Sequence, residues 1–172
     1  YASIDIFAEK IGVSKAYVHD RLRLRKLPEN ARKALEEGRI SFFTARVIVG
    51  CPARIVKAVV DVVLHPGKYE IWVDNEYAKE PLNAEQTKAE IEERFVRKLK
   101  NAAFDLDDAK LFPEKIEDDE RVEGGSCKTC PWSIRAGRGG QENKCLNPAC
   151  FSKKQEIFAA AELVKAKEAG YK

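Results

Sequence analysis

Four cysteines, Cys127, Cys130, Cys145 and Cys150, form a C-x2-C-x14-C-x4-C array within SCKTCPWSIRAGRGGQENKCLNPACFSKK, and no other feature limits the fold of this chain so tightly. Two thiolates separated by two residues can turn onto one ion through a tight knuckle, and a second pair carried in by a loop completes a tetrahedron. Pro131, Gly137, Gly139, Gly140 and Pro148 supply the bends. The array predicts a four-thiolate metal site in a segment too poor in apolar residues to fold alone. Two disulfides would use the same residues. Against them, no signal peptide is visible, and a fifth cysteine, Cys51, stands alone in an otherwise helical stretch, which suits a reducing compartment. Zinc is the expected ion for a closed all-cysteine structural site, with an iron–sulfur cluster as the alternative. His19 and His65 lie far away with no partner at ligand spacing and read as ordinary surface or boundary residues.

The 172 residues suffice for one or two small domains, and 44% hydrophobic with 34% charged residues describes a soluble globular protein. No apolar run approaches the roughly 20 residues of a membrane span, so no membrane partner is expected. Residues 1–50 carry ten Lys/Arg against six Asp/Glu, residues 111–123 two against six, and residues 124–172 nine against four. The basic excess thus sits at the two ends. The chain begins at Tyr1 and contains no methionine, which predicts a fragment of a longer polypeptide.

Residues 1–50 read as consecutive short helices. Ser3 is a good N-cap for a helix carrying Ile4, Phe7, Ala8 and Ile11 at helical spacing, and Gly12 falls where a positive φ ends it. Ser14 caps a second helix, Lys15 to Arg25, with Tyr17, Val18, Leu22 and Leu24 among its larger apolar residues. Helix, glycine turn, helix is the helix-turn-helix signature, in which the start of the second helix enters the major groove. Ser14 and Lys15 open that helix, where backbone N–H groups favour a phosphate. Lys15, Ala16, Tyr17, His19 and Asp20 lie early enough to reach base edges or sugar. Arg21, Arg23, Arg25 and Lys26 extend the charge toward flanking phosphates. Asp20 would accept from a cytosine amino group or orient an arginine. The bland alternative is an αα-hairpin with a solvated basic face; turn, cap and charge together favour DNA.

Further helices are expected from Asn30, as cap, through Leu35 to a stop at Gly38; from Ser41 onward, with Phe42, Ala45, Ile48 and Val49 on its stripe; and over Ala53 to Leu64, ended by His65-Pro66-Gly67. Phe42 and Phe43 read as packing residues. Tyr69, Ile71 and Val73 alternate as a short strand would. Asn83 to Lys100 reads as one long helix with Ile91, Phe95 and Leu99 along a face. Asp105 to Glu123 reads as an acidic linker packed through Phe104, Leu106, Leu111 and Phe112, without the His, Ser or Lys array a catalytic site would need. No enzyme is expected, and a nuclease lacks its carboxylate constellation. Beyond Cys150 a helix carries Phe151, Ile157, Phe158, Ala161, Leu163 and Val164, with Lys153, Lys154, Lys165 and Lys167 outside. That helix would pack on the metal module or pair with another protomer.

The run SIDIFAEKIGVSKAYVHDRLRLRKLPENARKALEEGRISFFTARVIVG resembles the central DNA-binding domain of the ParB family of partition proteins. The glycine-valine-serine turn, the R-L-x-L-x-K-L-P hinge and the E-E-G-R-I-S helix start carry the likeness. LNAEQTKAEIEERFVRKLKNAAFDLDDAKLFP and the cysteine module, with CLNPACFSKK at the second pair, look like the cysteine-bearing C-terminal region of ParB-like proteins of plasmids and integrating elements. The resemblance implies recognition of an inverted-repeat site in double-stranded DNA, with Ser14 to Arg23 as recognition helix, and a role in replicon partition or gene regulation. It also implies a cytoplasmic protein at the nucleoid or plasmid, and a partition ATPase contacting regions outside these residues. The family's CTP-binding domain, with its arginine-rich motif, has no counterpart here. Residues 66–81 depart from the pattern and read as an insertion.

The expected architecture is therefore mainly α: a helix-turn-helix multi-helix DNA-binding domain over 1–65, a helical extension and acidic linker over 66–123, and a small four-cysteine metal-binding module with a C-terminal helix over 124–172. A homodimer is left open. The competing functional class is a redox-responsive DNA-binding regulator built on an iron–sulfur cluster.

Overall fold

Serine side chains set the first helices, as their spacing predicts. In the computed structural model, which describes residues 3–108, 124–134 and 142–170, Ser3, Ser14 and Ser41 each accept a hydrogen bond from the backbone N–H three residues on. They start α1 (Ile4–Ile11), α2 (Lys15–Arg23) and α4 (Phe42–Val49). Each such cap satisfies an orphan donor and stabilises its helix by about 1 kcal/mol. Gly12 ends α1 at φ 69° and takes the backbone where a Cβ would be strained. α3 (Glu29–Glu36) departs from expectation at its start: Pro28 is its N-cap, and the Asn30 side chain accepts from Ala31 N–H one residue on. Proline's fixed φ prepares the entry that Asn30 was expected to cap. α2 gives way to a 3-10 turn over Leu24–Lys26, so Arg25 lies just past the α-helix.

The chain divides into two compact units, residues 1–91 and 92–172. In the first, α4 lies at the centre and touches α2, α3, α5 (Ala53–Leu64) and α6 (Ala84–Glu90). Close approach follows from small buried side chains: Ala31, Ala34, Ala45 and Thr87 are fully buried, with Thr44 almost so. Ile48, Val59, Val60 and Val63 fill the space between the helices. Asn83 and Gln86 form a reciprocal capping box at the start of α6.

Between α5 and α6 the expected strand from Tyr69 is displaced. Pro66–Tyr69 is a 3-10 turn, and the strands are β1 (Trp72–Val73) and β2 (Glu76–Tyr77), an antiparallel hairpin. Asp74 and Asn75 at its tip both have positive φ, the turn that matches the natural twist of two strands. Trp72 and Tyr77 face each other across the hairpin, ring centroids 4.3 Å apart.

The helix expected over Asn83 to Lys100 ends at Glu90. A π-turn spans Ile91–Phe95, and Arg97–Lys98 forms strand β3. Strand pairing outweighs the intrinsic helix preference of this stretch: β3 pairs with β5 (Lys144–Cys145), which also pairs with β4 (Ser133–Ile134). Val96 and Leu99 are buried as a result.

The second unit has a small core of Leu99, Phe104, Cys127, Cys145 and Phe151, with Ala102, Leu106, Ile157 and Phe158 packed against it. Phe104 and Leu106 pack as expected, while Leu111 and Phe112 lie outside the described residues, as do Gly137, Gly139 and Gly140. α7 (Pro148–Glu168) starts from Asn147, whose side chain accepts from Cys150 N–H at 3.0 Å. Its stripe differs from expectation: Phe151 is buried, Leu163 and Val164 are exposed, and Lys154, expected in solvent, is fully buried. No helix among the described residues is long and apolar enough to cross a membrane.

Candidate nucleic-acid interface

The residues singled out on α2 lie on its solvent side because of what roots the helix. Val18 and Leu24 are buried and fix the rotation of the segment. With those two inside, Ser14, Lys15, Ala16, Tyr17, His19, Arg21, Arg23, Arg25 and Lys26 are all exposed, and only Asp20 is partly buried. Leu22 is also exposed, so α2 shows an apolar side chain among its charges.

Two of these side chains have structural partners on α4. Asp20 receives Arg46 at 3.3 Å. The Arg21 guanidinium lies over two rings, 4.3 Å from the Phe42 centroid and 5.1 Å from that of Tyr17. Such stacking holds a cation in place while leaving its N–H edge free to meet an anion. Phe42 is therefore a packing residue as expected, but Phe43 is 66% exposed and is not. Lys15 is paired with Asp5 of α1 at 2.9 Å. Both side chains are open to water, so this pair is worth at most about 1 kcal/mol and yields readily to a phosphate.

Residues 4–67 match the family model of the ParB HTH domain. This segment is similar to ParB helix-turn-helix domains. Its match runs from the first residue of α1 through α5 and into the 3-10 turn that follows, and this likeness supports DNA as its partner. Searches of curated proteins and of solved structures found no match. Within the matched segment, sequence reasoning placed the helix that begins at Lys15 and named Phe42 as a packing residue, but did not single out Arg46. The signal for Arg46 was a lone cation on an otherwise apolar α4, and nothing local marked it as a partner of Asp20.

A second polar centre of the first unit lies at the end of α5. The Asp61 carboxylate accepts from Tyr69 Oη, from Lys68 Nζ at 2.7 Å and from His65 Nδ1 at 3.1 Å. Hydrogen bonds from Lys68 first, and then Tyr69, hold its carboxyl down at about 2. The cluster ties the last turn of α5 to the following 3-10 turn, and His65 belongs to it.

The four cysteines of the array fall in the second unit. Cys127, Cys145 and Cys150 are buried and Cys130 partly so, and these four form no disulfide. Burial above all pushes the Cys145 thiol up to about 11, against a lowering hydrogen bond from the Asn147 backbone. Among the described residues no three His, Cys, Asp or Glu side chains are arranged to hold an ion as they stand. Cys51 lies apart: its thiol donates to Val47 O at 3.5 Å, and burial pushes it up to about 11, which makes it an inert packing residue of α4's end.

Proposed function

We propose that this chain is a site-specific double-stranded DNA-binding protein of ParB type, reading one half of an inverted repeat through α2 and serving replicon partition or transcriptional regulation. The observation that carries this reading is the rooting of α2. Buried Val18 and Leu24 turn a continuous basic and polar surface outward. On that surface Arg21 is already fixed over Tyr17 and Phe42.

Ser14 to Asp20 would supply base and sugar contacts from the start of the helix, and Arg21, Arg23, Arg25 and Lys26 would meet the phosphates on either side. Phosphate contacts supply affinity that falls with salt, whereas base contacts supply discrimination that persists. The role is one of binding and not of catalysis. An inverted repeat implies two protomers, one on each half-site.

The test is affinity selection of sheared genomic and plasmid DNA on this protein, sequenced at two salt concentrations. One or a few sharp peaks over an inverted repeat, retained at the higher salt, are expected. Flat enrichment that vanishes with salt would reduce α2 to a nonspecific phosphate-binding surface.

A further inference from the structure

The second unit contains a side chain that its apolar core does not explain. Lys154 has no exposed surface, yet it sits in the first half of α7, one turn beyond Cys150. Burying an ammonium costs several kcal/mol unless acceptors surround it. Its Nζ donates to Gly125 O at 2.9 Å and to Cys127 Sγ at 3.4 Å. A neutral thiol is a weak acceptor and returns little of that cost, whereas a thiolate accepts a charge-assisted hydrogen bond.

A second N–H reaches another sulfur of the array. The backbone N–H of Asn147 donates to Cys145 Sγ at 3.4 Å, and the Asn147 side chain meanwhile caps α7 through Cys150 N–H. Donors aimed at sulfur and a loop that fixes the next cysteine are what a metal-bound thiolate requires around it. Cys145 also lies at the middle of the three-stranded sheet, opposite Arg97 on one side and Ser133 on the other. Cys127 and Cys145 share one small core, Lys154 ties Cys127 to the turn of α7 that follows Cys150, and Ser133, whose N–H donates to Cys130 O, is paired with Cys145. The four cysteines thus lie on adjoining segments of one small unit.

We infer that Cys127, Cys130, Cys145 and Cys150 bind a single zinc ion, and that the buried ammonium of Lys154 is the fixed counter-charge of this tetrathiolate through its bond to Cys127 Sγ. On binding, the four thiols release their protons to solvent and four Zn–S bonds form, with no change in oxidation state. The resulting centre carries two negative charges, of which Lys154 offsets one. The thiols are not converged on a point in the conformation described above. Closure by the ion is then the step that orders the unit, because binding energy appears as folding energy when no complete site exists beforehand.

The experiment uses the whole chain and zinc ion alone. Zinc affinity is measured against a chromophoric chelator, and cobalt(II) replaces zinc to give thiolate charge-transfer and tetrahedral visible bands. The wild type is expected to bind one equivalent, Cys51→Ser to match it, and Cys127→Ser and Cys150→Ser to lose the four-sulfur spectrum. Lys154→Met is expected to keep that spectrum but bind zinc ten- to a hundred-fold more weakly. Because replacing a wholly buried residue disturbs packing, the hydrogen bond is also read in the unaltered chain loaded with cadmium-113. The Lys154 ammonium protons should couple to the metal through sulfur.

Wild-type affinity in Lys154→Met, or no such coupling, overturns the role of Lys154. No zinc binding by the wild type, or brown protein with iron and sulfide when purified without air, overturns the zinc site itself. Neither result bears on the DNA reading, which rests on α2.

Discussion

The two units solve the problem of stability in different ways. The first buries a continuous set of alanine, valine and isoleucine side chains between five helices, so that Ala31, Ala34, Ala45, Ile48 and Val60 are closed off from water altogether. Among the described residues the second has strands of two residues each and a central cluster of five buried side chains, two of them cysteine. The lesson is that a helical unit can expose a functional surface because its interior already suffices. The cysteine unit must draw on its polar and sulfur groups for cohesion, and under the zinc proposal an ion would complete it.

The sharpest way to break this comparison is to deprive the second unit of its thiolates. Chelation, or Cys127→Ser, should unfold it while residues 4–67 keep their amide protection in hydrogen exchange. A structural zinc supplies on the order of 10 kcal/mol. Loss of protection in both units at once would show that they are not independent. Next comes the helical core, where Ile48→Ala should cost about 2–5 kcal/mol by removing a fully buried side chain, read as a lower denaturation midpoint for the first unit alone.

Arg21→Ala should weaken specific DNA binding about tenfold, close to 1.4 kcal/mol, and flatten its salt dependence. Arg21→Lys should recover only part, because an ammonium does not stack on two rings as a guanidinium does. Full recovery in a binding titration would reduce Arg21 to a point charge. Ser14→Ala should cost about 1 kcal/mol in thermal stability through its lost cap.

The smallest effect belongs to Asp61. Its carboxyl is held below its ordinary 3.8 at about 2, so its contribution to stability is complete above pH 3.8 and is lost as pH falls through 2. Asp61→Asn should flatten the acid limb of stability between those values, measured by denaturant unfolding at each pH.

Much of the first unit was legible because its signals are local. Ser3, Ser14 and Ser41 announce helix starts, Gly12 announces a positive φ, and the valines of α5 repeat at helical spacing. Each acts within four residues, and each was found where it was expected. Asn83 to Lys100 failed for the opposite reason: its helix periodicity is good, but Arg97 and Lys98 pair with Lys144 and Cys145, a partner some fifty positions away that no local pattern encodes. Lys154 was unreadable on the same ground. A lysine beside another lysine on a helix signals solvent, and only the return of the chain at Gly125 and Cys127 makes its site an interior one. At the candidate interface the exposed residues of α2 could be named in advance, whereas the α4 side chains that hold two of them could not.

The hold of α4 on α2 also bears on how the proposed DNA specificity could be moved between proteins. Grafting residues 14–26 onto another scaffold would transfer the charges and the base-reading side chains but leave behind Phe42, on which Arg21 rests, and Arg46, which engages Asp20. The heritable unit of recognition is therefore discontinuous. Under the proposed reading, a successful chimera would carry two residues from a different helix, and sequence drift in α4 would change what α2 reads without altering a single side chain assigned to DNA.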